Sequence, residues 1–183
     1  MILFINACVR QQSRTKQLAD SLLSKLGGPV KEVRLEEIRF PLTDESFINR
    51  RDSLIQEGKF DDPMFTLAVD FSEADQIVIA APYWDLSFPA SLKQYFEQIN
   101  VVGITFRYTE DGIPQGLCRA GKLWYVMTAG GMYCPEEFGF GYVDALARNF
   151  YGIQETELIK ATGLDIVGAD VEGIMKKAVS ELG

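Results

Sequence analysis

Short apolar runs alternate with longer amphipathic ones along this chain. Residues 2–6 (ILFIN) carry no charge and predict a buried strand. From Ser13 onward, Leu18, Leu22 and Leu23 or Leu26 recur at helical spacing until Gly27, Gly28 and Pro29 stop them. Residues 30–35 (VKEVRL) alternate in polarity, as a strand near a sheet edge does. Residues 39–61 are polar, charged and irregular, long enough for a functional loop or a partly helical excursion.

Pro63 predicts the start of a helix through Phe71, with Phe65, Ala68 and Val69 facing inward. Residues 76–82 (QIVIAAP) form a continuous apolar run, the pattern of a central parallel strand covered on both faces. In SFPASLKQYFEQI, Ser87 is the expected N-cap, Pro89 sits early in the first turn, and Leu92, Tyr95, Phe96 and Ile99 make one apolar face. KLWYVMTAGG predicts another buried strand, PEEFGFGYVDALARNFYG a helix ending near Gly152, and ETELIKAT the last strand. ADVEGIMKKAVSEL closes the chain as an amphipathic helix.

No repeat, linker or second domain interrupts this alternation, so residues 1–183 read as a single domain. Five strands separated by helices predict an α/β fold, a doubly wound five-stranded parallel sheet with right-handed crossovers. Such a sheet binds its ligand at the carboxyl ends of its strands, where strand order reverses. That rule brings together the loops at 7–13, 82–88 and 128–135.

Composition narrows the chemistry. The 183 residues hold 18 Lys+Arg, 26 Asp+Glu and no His, a formal charge of -8. An acidic bulk repels polyphosphate, which argues against nucleic acid or an anionic membrane as partner. The acidity is uneven: residues 1–34 hold six Lys/Arg and only two acids. Without His, no Ser-His-Asp or Cys-His nucleophile and no imidazole acid or base exists, and no side chain is assigned as catalytic. Three scattered cysteines (Cys8, Cys118, Cys134) fit neither a disulfide framework nor a metal cage. With no basic leader and no apolar stretch of membrane-spanning length, the expectation is a cytoplasmic protein with no membrane insertion.

Each of the three loops has a chemical reading and a plainer one. In the first, Ser13 and Thr15 offer hydroxyls at a helix start while Arg10, Arg14 and Lys16 add charge, which suits a phosphate monoester. The plainer reading is a Ser N-cap with exposed basic neighbours. It is neither a P-loop nor a G-x-G-x-x-G turn. In the second, Tyr83 and Trp84 follow a buried strand and offer a stacking wall, or else pack the next helix. In the third, Gly130 and Gly131 let a ligand approach the backbone, or else make a simple turn. A phosphate end, an aromatic wall and a glycine-lined edge together describe one elongated ligand.

The segment FSEADQIVIAAPYWDLSFPASLKQYFEQI, then GITFRYTEDGIPQGLCRAGKLWYVMTAGG and the tail FYGIQETELIKATGL, resembles the flavodoxin-like NAD(P)H:quinone reductases and FMN-dependent NADH azoreductases over nearly the whole chain. The specific blocks are P-x-x-x-x-S-x-P-A-x-L-K and F-x-Y-T-x-x-G-x-x-x-G-L. The resemblance implies a flavodoxin-like sheet of order 2-1-3-4-5, FMN as cofactor and NADH or NADPH as co-substrate. It also implies a homodimer with active sites at its interface and a small aromatic electron acceptor of quinone, azo or nitroaromatic type.

Carried over by position, the phosphate turn falls on Cys8, Arg10, Ser13, Arg14 and Thr15. Pro82, Tyr83, Trp84, Asp85 and Leu86 fall along the ring, and Thr128, Ala129, Gly130 and Gly131 at its other edge. Two positions depart from the family's habit: Cys8 stands where Ser is common, and Asp85 where Asn is frequent. A carboxylate near the flavin pyrimidine disfavours the reduced, anionic ring. Residues 39–61 and 132–141 are less family-like and are expected to shape the acceptor pocket, with Tyr108, Tyr133, Phe138 and Phe140 as further lining candidates.

The rival is a flavodoxin-like electron carrier or flavin-binding protein without NAD(P)H activity of its own. The FRYTEDGIPQGL segment weighs against it, because a small carrier needs no such dimer-forming element. A receiver domain needs paired acids after the first strand and an Asp ending the third, whereas Asn6, Ala7 and Pro82 stand there. A cluster-binding flavoprotein lacks its cysteine spacing. A scaffold that has lost its cofactor stays open, given Cys8.

Overall fold

A computed structural model describes residues 1–181 of the chain. Its strands, in chain order, are β1 (Ile2–Asn6), β2 (Val30–Arg34), β3 (Gln76–Ala80), β4 (Phe106–Tyr108), β5 (Pro114–Gly116), β6 (Lys122–Thr128) and β7 (Glu155–Ala161). Its helices are α1 (Arg14–Leu26), α2 (Glu45–Gln56), α3 (Thr66–Glu73), α4 (Ala90–Ile99), α5 (Phe140–Leu146) and α6 (Val171–Ser180). Five strands pair in parallel in the order β2-β1-β3-β6-β7, which is the expected 2-1-3-4-5 when the separate β4–β5 hairpin is set aside. Register follows burial: Ile5 lies between Val33 on one side and Ile79 on the other.

Because side chains alternate across a strand, a strand with no polar break must feed two cores. Leu3 and Ile5 of β1 point into a cluster with Phe65, Phe71, Leu92, Tyr95 and Phe96 from the α3–α4 side. Ile2 and Phe4 point the other way, against Leu18 and Leu22 of α1 and Ala178 of α6. The edge position expected for β2 is observed, and Val33 is its one buried residue. The expected closing helix ran to Leu182; that residue lies outside the described ones.

One alternative is settled and three expectations change in detail. The excursion at 39–61 contains α2, capped by Asp44, whose side chain accepts from the Phe47 amide at 2.9 Å. Pro63 begins a 3-10 turn capped by Asp62, and α3 proper begins at Thr66. Ser87 is not the cap of α4. It faces back across a tight turn, its amide bonded to the Trp84 carbonyl at 2.7 Å and its hydroxyl donating to the Phe138 carbonyl at 2.5 Å. The chain then stays extended through Pro89, so α4 starts beyond the reach of Ser87. Likewise α5 starts only at Phe140, because the Gly139 and Gly141 amides both turn back onto the Glu136 carbonyl.

The β4–β5 hairpin was not anticipated. Phe106 stacks edge-on against Phe150 at 4.8 Å, and a Cβ at Gly116 would sit 2.1 Å from the Tyr151 backbone, so only glycine admits this approach. Among the described residues no helix is long and apolar enough to cross a membrane, and no group of three or more acids and cysteines could hold a metal ion.

Candidate active site

The order reversal between β1 and β3 opens a cleft at the carboxyl ends of the strands, where switch-point ligands bind. Residues from all three anticipated loops line it: Arg10, Ser13, Arg14 and Thr15; Pro82, Tyr83 and Trp84; and Thr128, Ala129 and Gly130. Val9, Gln12 and Asp165 complete the wall.

The first loop presents the start of α1. Ser13 caps it, its Oγ accepting from the Lys16 amide at 3.3 Å, so the plain capping role is real. The remaining first-turn amides have no intrahelical acceptor and carry the positive end of the helix dipole toward the cleft. Arg10 is exposed on the rim, and among the described residues it has no ion-pair partner. Arg14 is engaged: its guanidinium donates to the Leu164 carbonyl at 3.0 Å and to Asp165 Oδ1 at 2.7 Å. Thr15 is buried, its hydroxyl sharing a 2.7 Å hydrogen bond with that of Thr128.

Cys8 lies behind the wall rather than in it. Its Sγ faces the Ala80 carbonyl at 3.8 Å, and its amide donates to Asn6 Oδ1 at 2.9 Å. Burial raises its thiol to about 11, against the smaller opposing pull of a Ser13 hydrogen bond and the Lys16 charge.

In the second loop, Tyr83 is half-buried and its hydroxyl donates to the Pro135 carbonyl at 3.1 Å, which turns its ring toward the cleft wall. Trp84 is 40% exposed, a large apolar surface beside a polar hollow. Asp85 and Leu86 form the corner of the Trp84–Ser87 turn with positive φ of 51° and 66°. Both are exposed and neither lines the cleft. Gly130 lines the third side, whereas Gly131 sits just outside it, its carbonyl taken by the Gly163 amide at 2.9 Å. Of the further candidates, Tyr108, Tyr133 and Phe138 are exposed, and Phe140 packs on Tyr125 at 6.0 Å.

Val9 and Gln12 were not singled out but lie in the first anticipated loop; Asp165 is the lining residue outside all three loops. No local pattern marks it; only the return of the chain after β7 brings it onto Arg14.

A flat, phosphorylated ligand fits this donor set. An arginine with no ion-pair partner among the described residues and a helix start supply charge, an exposed indole supplies a stacking surface, and the Gly130 backbone, with Asp165 against it, lines a third side.

Residues 1–183 match a protein family described as having the flavodoxin-like fold. The chain is 38% identical over 194 residues to FMN-dependent NADH:quinone oxidoreductase 2 of Clostridium acetobutylicum, covering 98% of this chain and 94% of that protein. It is 34% identical over 191 residues to FMN-dependent NADH:quinone oxidoreductase of Lachnoclostridium phytofermentans, covering 100% and 96%. The crystal structure of an azoreductase from Bacillus anthracis superposes with a TM-score of 0.84 at 26% identity, covering 99% of this chain and 95% of that one. By sequence over its full length and by strand order, the chain belongs to the flavodoxin-like fold family.

Proposed function

We propose that this chain is an FMN-dependent NADH:quinone oxidoreductase that also reduces azo and nitroaromatic acceptors. Donor and acceptor take turns in one slot, a ping-pong scheme, and the working unit is a homodimer. The observation that carries the reading is convergence: three loops far apart in sequence wall one cleft at the switch point. The full-length similarity to NADH:quinone oxidoreductases supports it and favours NADH over NADPH.

When bound, FMN supplies the hydride chemistry, which is why a chain without His can be a redox enzyme. The protein's part is placement. Arg10, Ser13 and the first amides of α1 hold the phosphate dianion by charge and hydrogen bonding. Tyr83 and Trp84 cover the ring and keep water from one face. Gly130 presents bare backbone to the cleft, and the space of its missing side chain is taken by the Asp165 carboxylate. Near this mouth, Leu86, Met132, Tyr133 and Phe138 are exposed apolar side chains on the same two loops, a surface that a second copy would cover.

The test is direct. Purified chain reconstituted with FMN should be yellow, bleach anaerobically on adding NADH, and regain its colour on adding a quinone. Colourless protein after reconstitution refutes the cofactor assignment. Retained colour without bleaching leaves the electron-carrier reading, and a monomer by light scattering removes the dimer.

A further inference from the structure

One of the two cations lining the cleft is already paired. Arg14 opens α1, yet its guanidinium is held by the loop after β7, through the Leu164 carbonyl at 3.0 Å and Asp165 Oδ1 at 2.7 Å. Asp165 is itself seated on the cleft wall. Its amide donates to the Gly130 carbonyl at 3.0 Å. Its other carboxylate oxygen, Oδ2, lies 2.2 Å from where a Cβ on residue 130 would stand. Glycine at 130 is therefore what lets this carboxylate lie against the cleft, and both Arg14 and Asp165 line it.

The arrangement puts an acid where an anionic ligand end belongs. Arg10 and Arg14 are the cleft's two cations, and Asp165 is its acid. A carboxylate beside a phosphate dianion repels it, and it competes for the same guanidinium.

We propose that Asp165 is a specificity-determining residue that acts through Arg14. It occupies the guanidinium as an internal competitor for the phosphate and so sets how tightly the phosphorylated end of the cofactor is held. The inference rests on the FMN reading above. Its consequence is selective: affinity for the phosphate monoester is held down, while affinity for the same ring without phosphate is untouched.

The experiment titrates the full chain with FMN and, separately, with riboflavin, following flavin fluorescence in the wild type and in Asp165→Asn, with Asp165→Ser as a second neutral variant. FMN binding should tighten about fivefold on losing the charge, and the gain should fade as salt rises. Riboflavin binding should change less than about twofold. Unchanged or weaker FMN binding overturns the proposal. Equal tightening of both ligands overturns it too, because the effect would then be structural. Loss of the folded state in both variants would make the carboxylate a support for the loop, which also overturns it. Wild-type protein that binds neither ligand instead refutes the FMN reading itself, so the two failures are told apart.

Discussion

Thr15 and Thr128 share a 2.7 Å hydrogen bond between buried hydroxyls 113 residues apart in the chain. It ties the first turn of α1 to the end of β6, and so fixes the spacing between the cationic and glycine walls of the cleft. Replacing one threonine by valine leaves the other hydroxyl buried without its partner. Thr128→Val should therefore destabilise the protein by about 1–3 kcal/mol and weaken FMN binding. The double variant Thr15→Val/Thr128→Val should recover most of the stability, since removing both partners of a buried hydrogen bond is nearly neutral. Urea unfolding of all four proteins checks this; additive losses would show that the pair is not coupled.

The Trp84–Ser87 turn holds two non-glycine residues at positive φ, as a type I′ turn requires. Asp tolerates this region and Leu does not, a left-handed conformation costing roughly 1–2 kcal/mol. Within one protomer Leu86 is also exposed, so truncation loses little burial there. Leu86→Gly trades that strain for about 0.4–1 kcal/mol of unfolded-state freedom. It should leave stability unchanged or raise it by up to about 1 kcal/mol. Leu86→Ala keeps the strain and should not. A loss of stability in the glycine variant would mean that Leu86 packs in a way its exposure hides.

Much of this fold was legible because burial on both faces of a sheet leaves an unmistakable apolar run: residues 2–6 read directly as a buried strand and residues 76–82 as a central one. The cleft was legible because the switch-point rule converts strand order into a place. What failed was local. Ser87 looks like a cap by composition, and only its tertiary bond to Phe138 shows that it serves a turn instead. The β4–β5 hairpin has three-residue strands, too short for a period to emerge. Cys8 and Asp165 show the same limit in opposite senses. The first is near the phosphate turn in sequence yet lies behind the wall, and the second is remote in sequence yet lies in it.

Two fully buried tyrosines offer a controlled contrast. Among the described residues the hydroxyl of Tyr95 has no hydrogen-bond partner, whereas that of Tyr151 donates to Asn100 Oδ1 at 2.7 Å. Burial pushes both phenols well above their ordinary range, so both are neutral at any working pH. Tyr95→Phe should be neutral or stabilising by up to about 1 kcal/mol, and Tyr151→Phe should cost about 1 kcal/mol or more. Thermal unfolding separates them; a clear loss for Tyr95→Phe would reveal a partner for that hydroxyl, such as a buried water.

Asp75 receives hydrogen bonds from Arg119 and from the N-terminal amine, and these hold its carboxyl down at about 2, below the ordinary 3.8. A depressed acid contributes its stability above the unfolded-state value and loses it as pH falls through the folded one. Asp75→Asn should therefore lower the melting temperature by a constant amount above about pH 4, an amount that shrinks to nothing near pH 2. The site is fully exposed, so the effect should be small and should fade in high salt. A difference that persists undiminished at pH 2 would trace it to something other than this charge.

Cysteine reactivity reports on the back of the cleft. Burial raises Cys8 to about 11 and the half-buried Cys118 to about 12, so at pH 8 both stay protonated thiols, poor nucleophiles. Cys134, half-buried on a loop, is raised less by the same cause, with Lys160 pulling the other way. Iodoacetamide at pH 8 should modify Cys134 first and reach the other two only on unfolding, as peptide mass spectrometry would show. Because Cys8 faces the Ala80 carbonyl from behind the wall, Cys8→Ser should change FMN affinity less than about threefold, under 1 kcal/mol. A gain of about tenfold or more would instead place the side chain at position 8 among the phosphate's direct partners and require the first loop to move when FMN binds.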